Sequence, residues 1–263
     1  MKKVLRLGDE NVFVTTRHFG LELHKTDELG APANREKFLN SFSEIGLRAP
    51  SRFVYLNQVH GSRVAVLENT EFPEPFTFLP ETDAVISNVR DLGLLVMTAD
   101  CLSIFFLAGD WVGLAHAGWR GTKDKISSKT LQTIAKKSGW KPETVKIVFG
   151  PCIRACHYEV GEEFKNYFSS ETVREREGRL TFDLVLENKK ELLKAGAGER
   201  NISDSGICTV CQNRDFYSYR KEKETAGRMI SIISRAQLSP PYEGGVGEVK
   251  VGFNPSAFGT SPS

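Results

Sequence analysis

The feature that most constrains the fold is a block of apolar runs in the middle of the chain. Residues 94–97, 102–107 and 111–115 are short apolar runs, and Gly109-Asp110 between the last two is a turn signal. Runs of this length, punctuated in this way, predict buried strands, the last two of them joined as a hairpin. The block therefore predicts a sheet buried inside the protein.

Further strand and helix patterns lie on both sides of this block. Residues 12–16 alternate and are β-branched, which predicts a strand that delivers Arg17 and His18 to its end. A helix over 36–45 would place Phe38, Leu39, Phe42 and Ile45 on one face. The other predicted strands are 52–56, 145–149, 216–220 and 228–236, the other predicted helices begin at Thr122, near Gly161 and at Leu184, and residues 70–82, with three prolines, are predicted as a loop.

Composition narrows the class of protein. The 263 residues carry Lys+Arg 35 against Asp+Glu 33, a net charge of +2, which gives no reason to expect nucleic acid or an anionic membrane as partner. A small anionic substrate stays compatible, because it needs only a few local arginines. No apolar stretch has the length of a signal peptide or a membrane span, so we expect a cytoplasmic protein, and we favour one domain over two. Five cysteines, an odd number, do not indicate a disulfide framework.

Three residues stand out as candidate metal ligands. His60, Cys101 and His116 each end or closely follow an apolar run, where the tip of a strand would present them. Three protein ligands leave a coordination position open for water or substrate, which is typical of catalytic rather than structural zinc. The set therefore predicts an enzyme. We expect Cys101 and His116 to lie near opposite ends of the hairpin, so that a twist or bulge at Asp100 is needed to bring them together.

The same three residues allow a second interpretation. Cys101 could be a nucleophile activated by His60 or His116, the usual arrangement in cysteine hydrolases. A thiolate between two imidazoles is equally a soft site for zinc or copper. Composition does not decide between a metal site and a nucleophilic cysteine.

The remaining cysteines and the arginines give weaker signals. Cys152 and Cys156, with His157 adjacent, could join Cys208 and Cys211 in a Cys₄ zinc clasp, but the spacing favours thiols without a metal. A redox role for the Cys208–Cys211 pair is no better supported. Arg17, Arg120 and Arg220 each follow a predicted strand and could converge on a phosphate or ribose, although each taken singly fits a solvated surface charge.

Ten motifs in order give the sequence a family resemblance. They are Thr15-Thr16-Arg17, Asn34-Arg35, Gln58-Val59-His60-Gly61, Thr98-Ala99-Asp100-Cys101, Ala115-His116-Ala117-Gly118-Trp119-Arg120-Gly121, Gly150-Pro151-Cys152-Ile153, Tyr158-Glu159-Val160-Gly161, Cys208-Thr209, Ser218-Tyr219-Arg220 and Gly227-Arg228. With these motifs, which run from about residue 12 to about residue 235, the chain resembles the YfiH-type laccase-domain family, also labelled polyphenol oxidase or peptidoglycan editing factor.

The resemblance implies a fold, a metal site and an activity. The fold is a single α/β domain, of α+β type with mixed sheets and flanking helices, similar to the catalytic domain of cytotoxic necrotizing factor; we assign it residues 1–236, followed by an extended tail over 237–263. The implied metal ligands are His60, Cys101 and His116. The implied activity is phosphorolysis of adenosine, inosine and methylthioadenosine, together with adenosine deamination. The partners are then a nucleoside and phosphate, and either a monomer or a homodimer is compatible.

The resemblance leaves details to be assigned. We assign substrate contacts to Arg17, Gln58 and Arg120, with phosphate at Arg17 or Arg120. Asp100 adjoins Cys101 and is either a catalytic carboxylate or the group that orients a ligand histidine. Residues 17–22 read Arg-His-Phe-Gly-Leu-Glu where the family usually has Arg-x-Gly-Gly-Val-Ser, so the loop after Arg17 is expected to differ.

Counting histidines tests the laccase label. A multicopper oxidase needs a blue-copper site and a three-copper cluster, and five histidines do not supply both. Zinc is the metal that the resemblance implies, with a single copper also compatible. The alternatives are a cysteine amidase or peptidoglycan-editing hydrolase with Cys101 as nucleophile, a single-copper polyphenol oxidoreductase, and a metal-binding protein without catalytic activity.

Overall fold

The computed structural model describes residues 3–8, 11–68, 74–176 and 178–235. The tail predicted over 237–263 lies outside the described residues. Within them, the strands are β1 Val4–Arg6, β2 Val12–Thr15, β3 Arg52–Leu56, β4 Val64–Leu67, β5 Phe76–Leu79, β6 Ala84–Ser87, β7 Leu92–Thr98, β8 Leu102–Ala108, β9 Trp111–Ala117, β10 Lys146–Phe149, β11 Val173–Arg176, β12 Arg179–Phe182, β13 Ile202–Asp204 and β14 Met229–Ser234. The helices are α1 Pro32–Glu44, α2 Trp119–Lys123, α3 Ile126–Ser138, α4 Leu184–Lys194 and α5 Tyr219–Glu222.

Two six-stranded mixed sheets form the centre of the fold. The first sheet has the order β1-β2-β14-β7-β3-β5, and the second has the order β13-β10-β8-β9-β6-β4. In the first sheet β7 and β5 run parallel to β3, whereas β14 is antiparallel to β7. The second sheet is built on the antiparallel β8–β9 hairpin, and β11 and β12 form a small separate hairpin. The predicted mixed α/β fold is confirmed.

The sheets pack face to face and helices cover their outer faces. Successive residues of β7 point to opposite faces of the first sheet. Leu94 and Val96 belong to the core between the two sheets, and Leu95 and Met97 pack with α1 on the outer face. On the other side α3 and α4 cover the second sheet. Both faces of each central strand are therefore buried, which explains the continuous apolar runs of the sequence. No helix among the described residues has the length and apolar character needed to cross a membrane.

The antiparallel pairing of β8 and β9 corrects the expected positions of Cys101 and His116. Cys101 immediately precedes β8 and His116 is near the end of β9, and Ser103 pairs with His116 across the ladder. The start of one strand and the end of its antiparallel partner lie at the same end of a hairpin. The prediction that Cys101 and His116 lie near opposite ends was therefore wrong. The backbone does turn at Asp100, with a positive φ of 93°, but at the connection from β7 to β8 and not within the hairpin.

Several predicted elements differ from the structure. The predicted loop over 70–82 contains β5, and the predicted strand over 216–220 is a turn leading into α5. The helix predicted near Gly161 is a short 3₁₀ segment, Glu162–Asn166, and α3 begins after Lys125 rather than at Thr122. Leu39 is exposed although the pattern placed it on the buried face of α1. Predictions for β3, for the two hairpin strands and for the glycine that ends α3 are confirmed to within two residues.

Candidate metal centre

The three candidate ligands meet at one end of the two sheets. The ligand atoms of His60, Cys101 and His116 all lie within 4.8 Å of one another. The two imidazole rings are 4.9 Å apart between centroids and are inclined by 75°. Their exposure is graded, because His116 is buried, Cys101 is half-buried and His60 is exposed. Exposure of the set is therefore greatest at His60.

Backbone geometry places each ligand. His116 is held on β9, and Cys101 is held one residue before the neighbouring β8. His60 follows β3 in a loop and adopts a positive φ of 60°, a conformation that non-glycine residues rarely take. The Gln58 side chain attaches this loop to β7, since its amide donates to the Met97 carbonyl and accepts from the Met97 amide, each at 2.7 Å.

Asp83 is the carboxylate that organises the centre, and the sequence analysis missed it. It is fully buried at the start of β6, and its Oδ1 lies 2.8 Å from His116 Nδ1. The same carboxylate accepts the backbone N–H groups of Val59, His60 and Gly61 at 3.2, 3.0 and 2.8 Å. One side chain therefore orients one histidine ligand and fixes the loop that carries the other. The signal in the sequence is an aspartate just before a run of small and apolar residues, which is too common to be specific.

The charges of the centre favour a thiolate. Burial alone raises the pKa of Cys101, but His116 and then His60 outweigh it and lower that pKa to about 6. Burial likewise opposes charge on His116, yet the Cys101 thiolate and Asp83 raise the pKa of His116 to about 9. Burial raises the pKa of Asp83, and its bonds to His116 and to the loop amides bring it below its usual range. A thiolate is the form of cysteine that binds metal or attacks an electrophile.

The donor set fits a zinc ion. Two imidazoles and one thiolate are zinc ligands, and Asp83 on His116 Nδ1 is the carboxylate–histidine arrangement that orients ligands in metal sites. Gly118 leaves the room that this needs, because a Cβ at this position would lie 3.0 Å from both Cys101 Sγ and His60 Cδ2. With three protein ligands, a bound zinc ion would have a fourth coordination position left for water or substrate.

The three candidate ligands border a cavity of about 710 Å³. Its volume falls in the range of sites for small ligands. His60, Cys101 and His116 lie on its wall together with Asp100, Ile153, Tyr158 and Tyr219. Four cationic side chains also line it: Lys25, Arg220, Lys223 and Arg228.

The structure places two of the three predicted substrate contacts away from this cavity. The Arg17 guanidinium lies 2.9 Å from both carboxylate oxygens of Glu222 and stacks on Tyr217. Arg120 is exposed and stacks on Trp119. Neither lines the cavity, and their assignment to phosphate stays a prediction. Gln58 does line the cavity, but its amide is engaged by Met97.

Asp100 lines the cavity with both carboxylate oxygens already engaged. Oδ1 accepts the Thr209 hydroxyl and Oδ2 accepts the Arg220 amide, each at 2.6 Å. Asp100 thus ties Cys101 to the segment that carries Arg220. None of its hydrogen bonds reaches a histidine, and the orienting role expected for it belongs to Asp83.

Fold and site together define a class: a mixed α/β protein of two packed sheets with a His/Cys/His centre at their shared end, open to a cation-lined cavity. The family model described as multi-copper polyphenol oxidoreductase laccase matches residues 13–236, and the chain belongs to this family. Crystallised YlmD from Geobacillus stearothermophilus has the same fold, with a TM-score of 0.72, 26% identity, and coverage of 85% of this chain and 91% of that one.

Several relatives of this chain are named purine nucleoside phosphorylase rather than laccase. A purine nucleoside phosphorylase from Deinococcus radiodurans is 35% identical over 208 residues, 77% of this chain and 76% of the relative. One from Aquifex aeolicus is 39% identical over 153 residues, 58% of this chain and 71% of the relative. The relatives' names thus indicate an enzyme, as the sequence predicted.

The placement of the histidines bears on the laccase description. His18 pairs with Asp215, His24 is exposed and lines the cavity, and His157 lies among Cys156, Cys208 and Cys211. Only His60 and His116 are at the centre. This donor set has no place for a three-copper cluster, which needs many imidazoles.

Proposed function

We propose that the chain is a purine nucleoside phosphorylase that cleaves adenosine and inosine to the free base and ribose 1-phosphate, and methylthioadenosine to adenine and methylthioribose 1-phosphate, and that also deaminates adenosine. The observation that carries the proposal is the His/Cys/His centre on the wall of a cavity that also presents four cations. The cavity has room for a nucleoside, and the cations suit phosphate. The names of the relatives support the same reaction.

The cationic residues would bind orthophosphate. Arg220 and Arg228 replace Arg17 and Arg120 in this role, because they line the cavity. The Arg220 guanidinium is steadied by the Glu159 carbonyl at 2.9 Å, and Arg228 by the Ala226 carbonyl at 2.7 Å. Carbonyl partners orient a guanidinium without neutralising it, so both keep their charge for an anion.

Phosphorolysis makes a bond from a phosphate oxygen to C1′ and breaks the bond from C1′ to the purine. The bonding electrons leave with the purine, so the site must hold the base and bring a hydrogen-bond donor or a proton to its nitrogens. Burial, and then the nearby Cys101, raise the pKa of Tyr158, which keeps its hydroxyl protonated as a donor. The exposed ring of Tyr219 on the cavity wall offers the purine a face to stack on, whereas the Arg220 guanidinium lies over the Tyr158 ring at 5.4 Å.

Zinc is the metal that we assign to His60, Cys101 and His116, with a single copper as the alternative. When bound, it supplies a Lewis acid with an open position toward the cavity. Asp83 keeps His116 oriented with Nδ1 protonated, and Asp100 keeps Cys101 close to the Arg220 segment. Asp100 is also the carboxylate nearest in sequence to the ligands, and we assign it proton transfer in the deamination of adenosine.

The test is to assay the zinc-loaded protein with adenosine, inosine and methylthioadenosine, with and without phosphate, and again after chelation. We expect base and ribose 1-phosphate only when phosphate is present, and inosine from adenosine in either case. A Cys101→Ser variant should lose both activities, and Cys152→Ala, which alters a buried cysteine outside the centre, should keep them. No turnover of any of the three nucleosides by metal-loaded protein would exclude the proposal.

One observation favours a second candidate. Cys101, His116 and Asp83 form a continuous cysteine–histidine–aspartate series, with the histidine held by the aspartate at 2.8 Å. Such a series activates a thiolate for attack on an amide. A cysteine amidase or peptidoglycan-editing hydrolase would stay active after chelation and be inactivated by alkylation of Cys101. A single-copper polyphenol oxidoreductase would instead need copper and oxidise phenols.

A further inference from the structure

A second group of metal-ligand side chains lies outside the cavity. Cys156, His157, Cys208 and Cys211 bring three sulfurs and one imidazole nitrogen together, with all four atoms within 4.8 Å of one another. The sequence analysis grouped Cys152 with them and favoured thiols without metal. In the structure His157 takes the fourth place, and Cys152 is buried with its pKa raised by desolvation.

Four of the six distances between these atoms are close to those of a tetrahedral site, and all six are within 4.8 Å. The sulfurs of Cys156 and Cys211 are 3.8 Å apart, and His157 Nδ1 lies 3.2, 3.4 and 3.8 Å from the sulfurs of Cys156, Cys211 and Cys208. Zinc bonds of about 2.3 Å to sulfur and about 2.0 Å to nitrogen give tetrahedral edges of about 3.8 Å between sulfurs and about 3.5 Å between sulfur and nitrogen. A disulfide, by contrast, needs its sulfurs at about 2.0 Å.

The local backbone also has the form of a metal knuckle. Cys208 and Cys211 are two ends of a Cys-x-x-Cys turn, in which the Gln212 amide donates to the Cys208 carbonyl at 3.0 Å. The backbone N–H groups of Cys211, Arg154 and Val210 lie close to the Cys208 sulfur. Such N–H donors stabilise a thiolate and replace the solvent that a buried sulfur lacks.

The two segments that contribute ligands are held together independently of any metal. Cys152 and Cys208 form a parallel backbone bridge, and the Thr209 amide donates to the Cys152 carbonyl at 3.1 Å. Arg154 makes a bidentate ion pair with Asp204 at 2.7 and 2.6 Å. The ligands are therefore brought into place by the fold, and a cation would find them assembled.

We propose that Cys156, His157, Cys208 and Cys211 bind a second zinc ion in a closed, tetrahedral, structural site. Three thiolates and one imidazole suit zinc, and four protein ligands leave no position for a substrate. The site clamps the segment that carries Ile153 and Tyr158 to the segment that carries Thr209 and, further along, Arg220. Because those residues line the cavity or hold Asp100, this zinc fixes a wall of the cavity without entering it.

The proposal is tested by counting zinc. Protein purified with zinc and freed of loose metal should hold about two ions per chain, whereas Cys156→Ser/Cys211→Ser should hold about one. Cys101→Ser should keep the second ion, so that failure at either site is seen separately. Cys152→Ala is the matched control and should hold the wild-type amount. Cobalt substitution adds a spectroscopic measurement. The strong sulfur-to-cobalt absorption of three thiolates should persist in Cys101→Ser, and in Cys156→Ser/Cys211→Ser it should fall to the weaker absorption of the single Cys101 thiolate.

A measurement on the unaltered chain covers the case in which the variants do not fold. Cys156 and Cys211 are exposed, so alkylation followed by mass spectrometry should label them rapidly after chelation and slowly after zinc is restored. The proposal is overturned if the double variant retains as much zinc as the wild type. It is equally overturned if zinc gives no protection, or if Cys156 and Cys211 are found as a disulfide in freshly purified, unreduced protein.

Discussion

Asp83 carries more of the candidate centre than any other single residue. It orients His116 and holds the His60 loop through three backbone amides. Asp83→Asn keeps the shape but loses the charge and presents an NH₂ group where an acceptor is needed. We expect zinc affinity at the His60–Cys101–His116 centre to fall by about 10–100-fold, the usual effect of removing such a partner.

The measurement is a competition titration with a chromophoric chelator, made in a Cys156→Ser/Cys211→Ser background so that only one centre is observed. Asp124→Asn, on an exposed position, is the control and should leave the affinity unchanged. An Asp83→Asn variant with wild-type affinity would contradict the role assigned to this carboxylate.

Gly118 sets a steric limit on the same centre. In Gly118→Ala the new methyl group would lie 3.0 Å from both Cys101 Sγ and His60 Cδ2, so one of the two ligands must shift. We expect lower zinc affinity and lower activity, with a loss of stability of about 1–3 kcal/mol, as for overpacking elsewhere. Zinc titration and thermal unfolding measure the two effects. A variant with unchanged affinity and activity would show that the ligands can move apart at no cost.

Glu222 makes the stability of the folded protein depend on pH, independently of the candidate metal centre. Burial raises its pKa, but the Ser218 amide, Arg17 and Asn213 outweigh this and hold it below 4.5. A depressed carboxyl pKa stabilises the folded state above the unfolded pKa, and this contribution is lost as pH falls through the folded pKa. Glu222→Gln should therefore cost about 1–3 kcal/mol at pH 7 and progressively less below pH 4.

Urea unfolding of Glu222→Gln and of the wild type from pH 3 to pH 7 measures this difference. Glu162→Gln, which removes a highly exposed carboxylate from a surface ion pair, should change little at any pH. A Glu222→Gln effect of the same size at pH 3 and pH 7 would mean that the charge is not what Arg17 and Ser218 recognise.

At the scale of elements, Gln58 continues the ladder between β3 and β7 by a side chain. Its amide pairs with both backbone groups of Met97, as another peptide would. Gln58→Ala leaves those buried groups unpaired, and we expect a cost of about 1–3 kcal/mol in the free energy of unfolding. The prediction from the sequence was a substrate contact. Chemical unfolding and the KM for nucleoside distinguish the two, because a structural role lowers stability, whereas a substrate contact would raise KM with stability unchanged.

The elements that the sequence predicts well are those with local signals. The β8–β9 hairpin has apolar runs and a Gly109-Asp110 turn, and α3 has helical periodicity and a glycine in the left-handed conformation after its last turn. Proline content hid β5, because a strand parallel to β3 at the sheet edge tolerates prolines just before it. The aromatic run before α5 alternates like a strand, yet tertiary contacts of Glu222 and Asp100 hold it as a turn and short helix.

In the candidate centre, too, some features follow from local sequence signals and others depend on tertiary contacts. His60, Cys101 and His116 could be chosen from their residue types and their places after apolar runs. Their approach depends on hairpin register, and Asp83 depends on contact between strands far apart in sequence. Neither is encoded in local spacing. The same holds for the arginines, since whether a guanidinium faces the cavity or a partner such as Glu222 is decided by tertiary packing.

At the scale of the whole molecule, the metals that we propose should couple to folding. A ligand that binds only the folded state raises the free energy of unfolding in proportion to the logarithm of its concentration over its dissociation constant. Chelation should therefore lower the Tm of the wild type, and added zinc should restore it. Any decrease in Tm on chelation that remains in the Cys101→Ser variant comes from loss of metal at the Cys156–His157–Cys208–Cys211 site. Equal Tm with and without chelator would contradict zinc binding at both sites.

The hairpin that carries two of the three ligands also bears on the order of folding. Cys101 and His116 flank a single tight connection, so the contact between them closes a short loop, and such contacts form fast. His60 arrives only when β3 has found β7 in parallel, a pairing of higher contact order. We therefore expect a two-ligand half-site to exist before the native state, which would let a metal ion be captured during folding rather than after it.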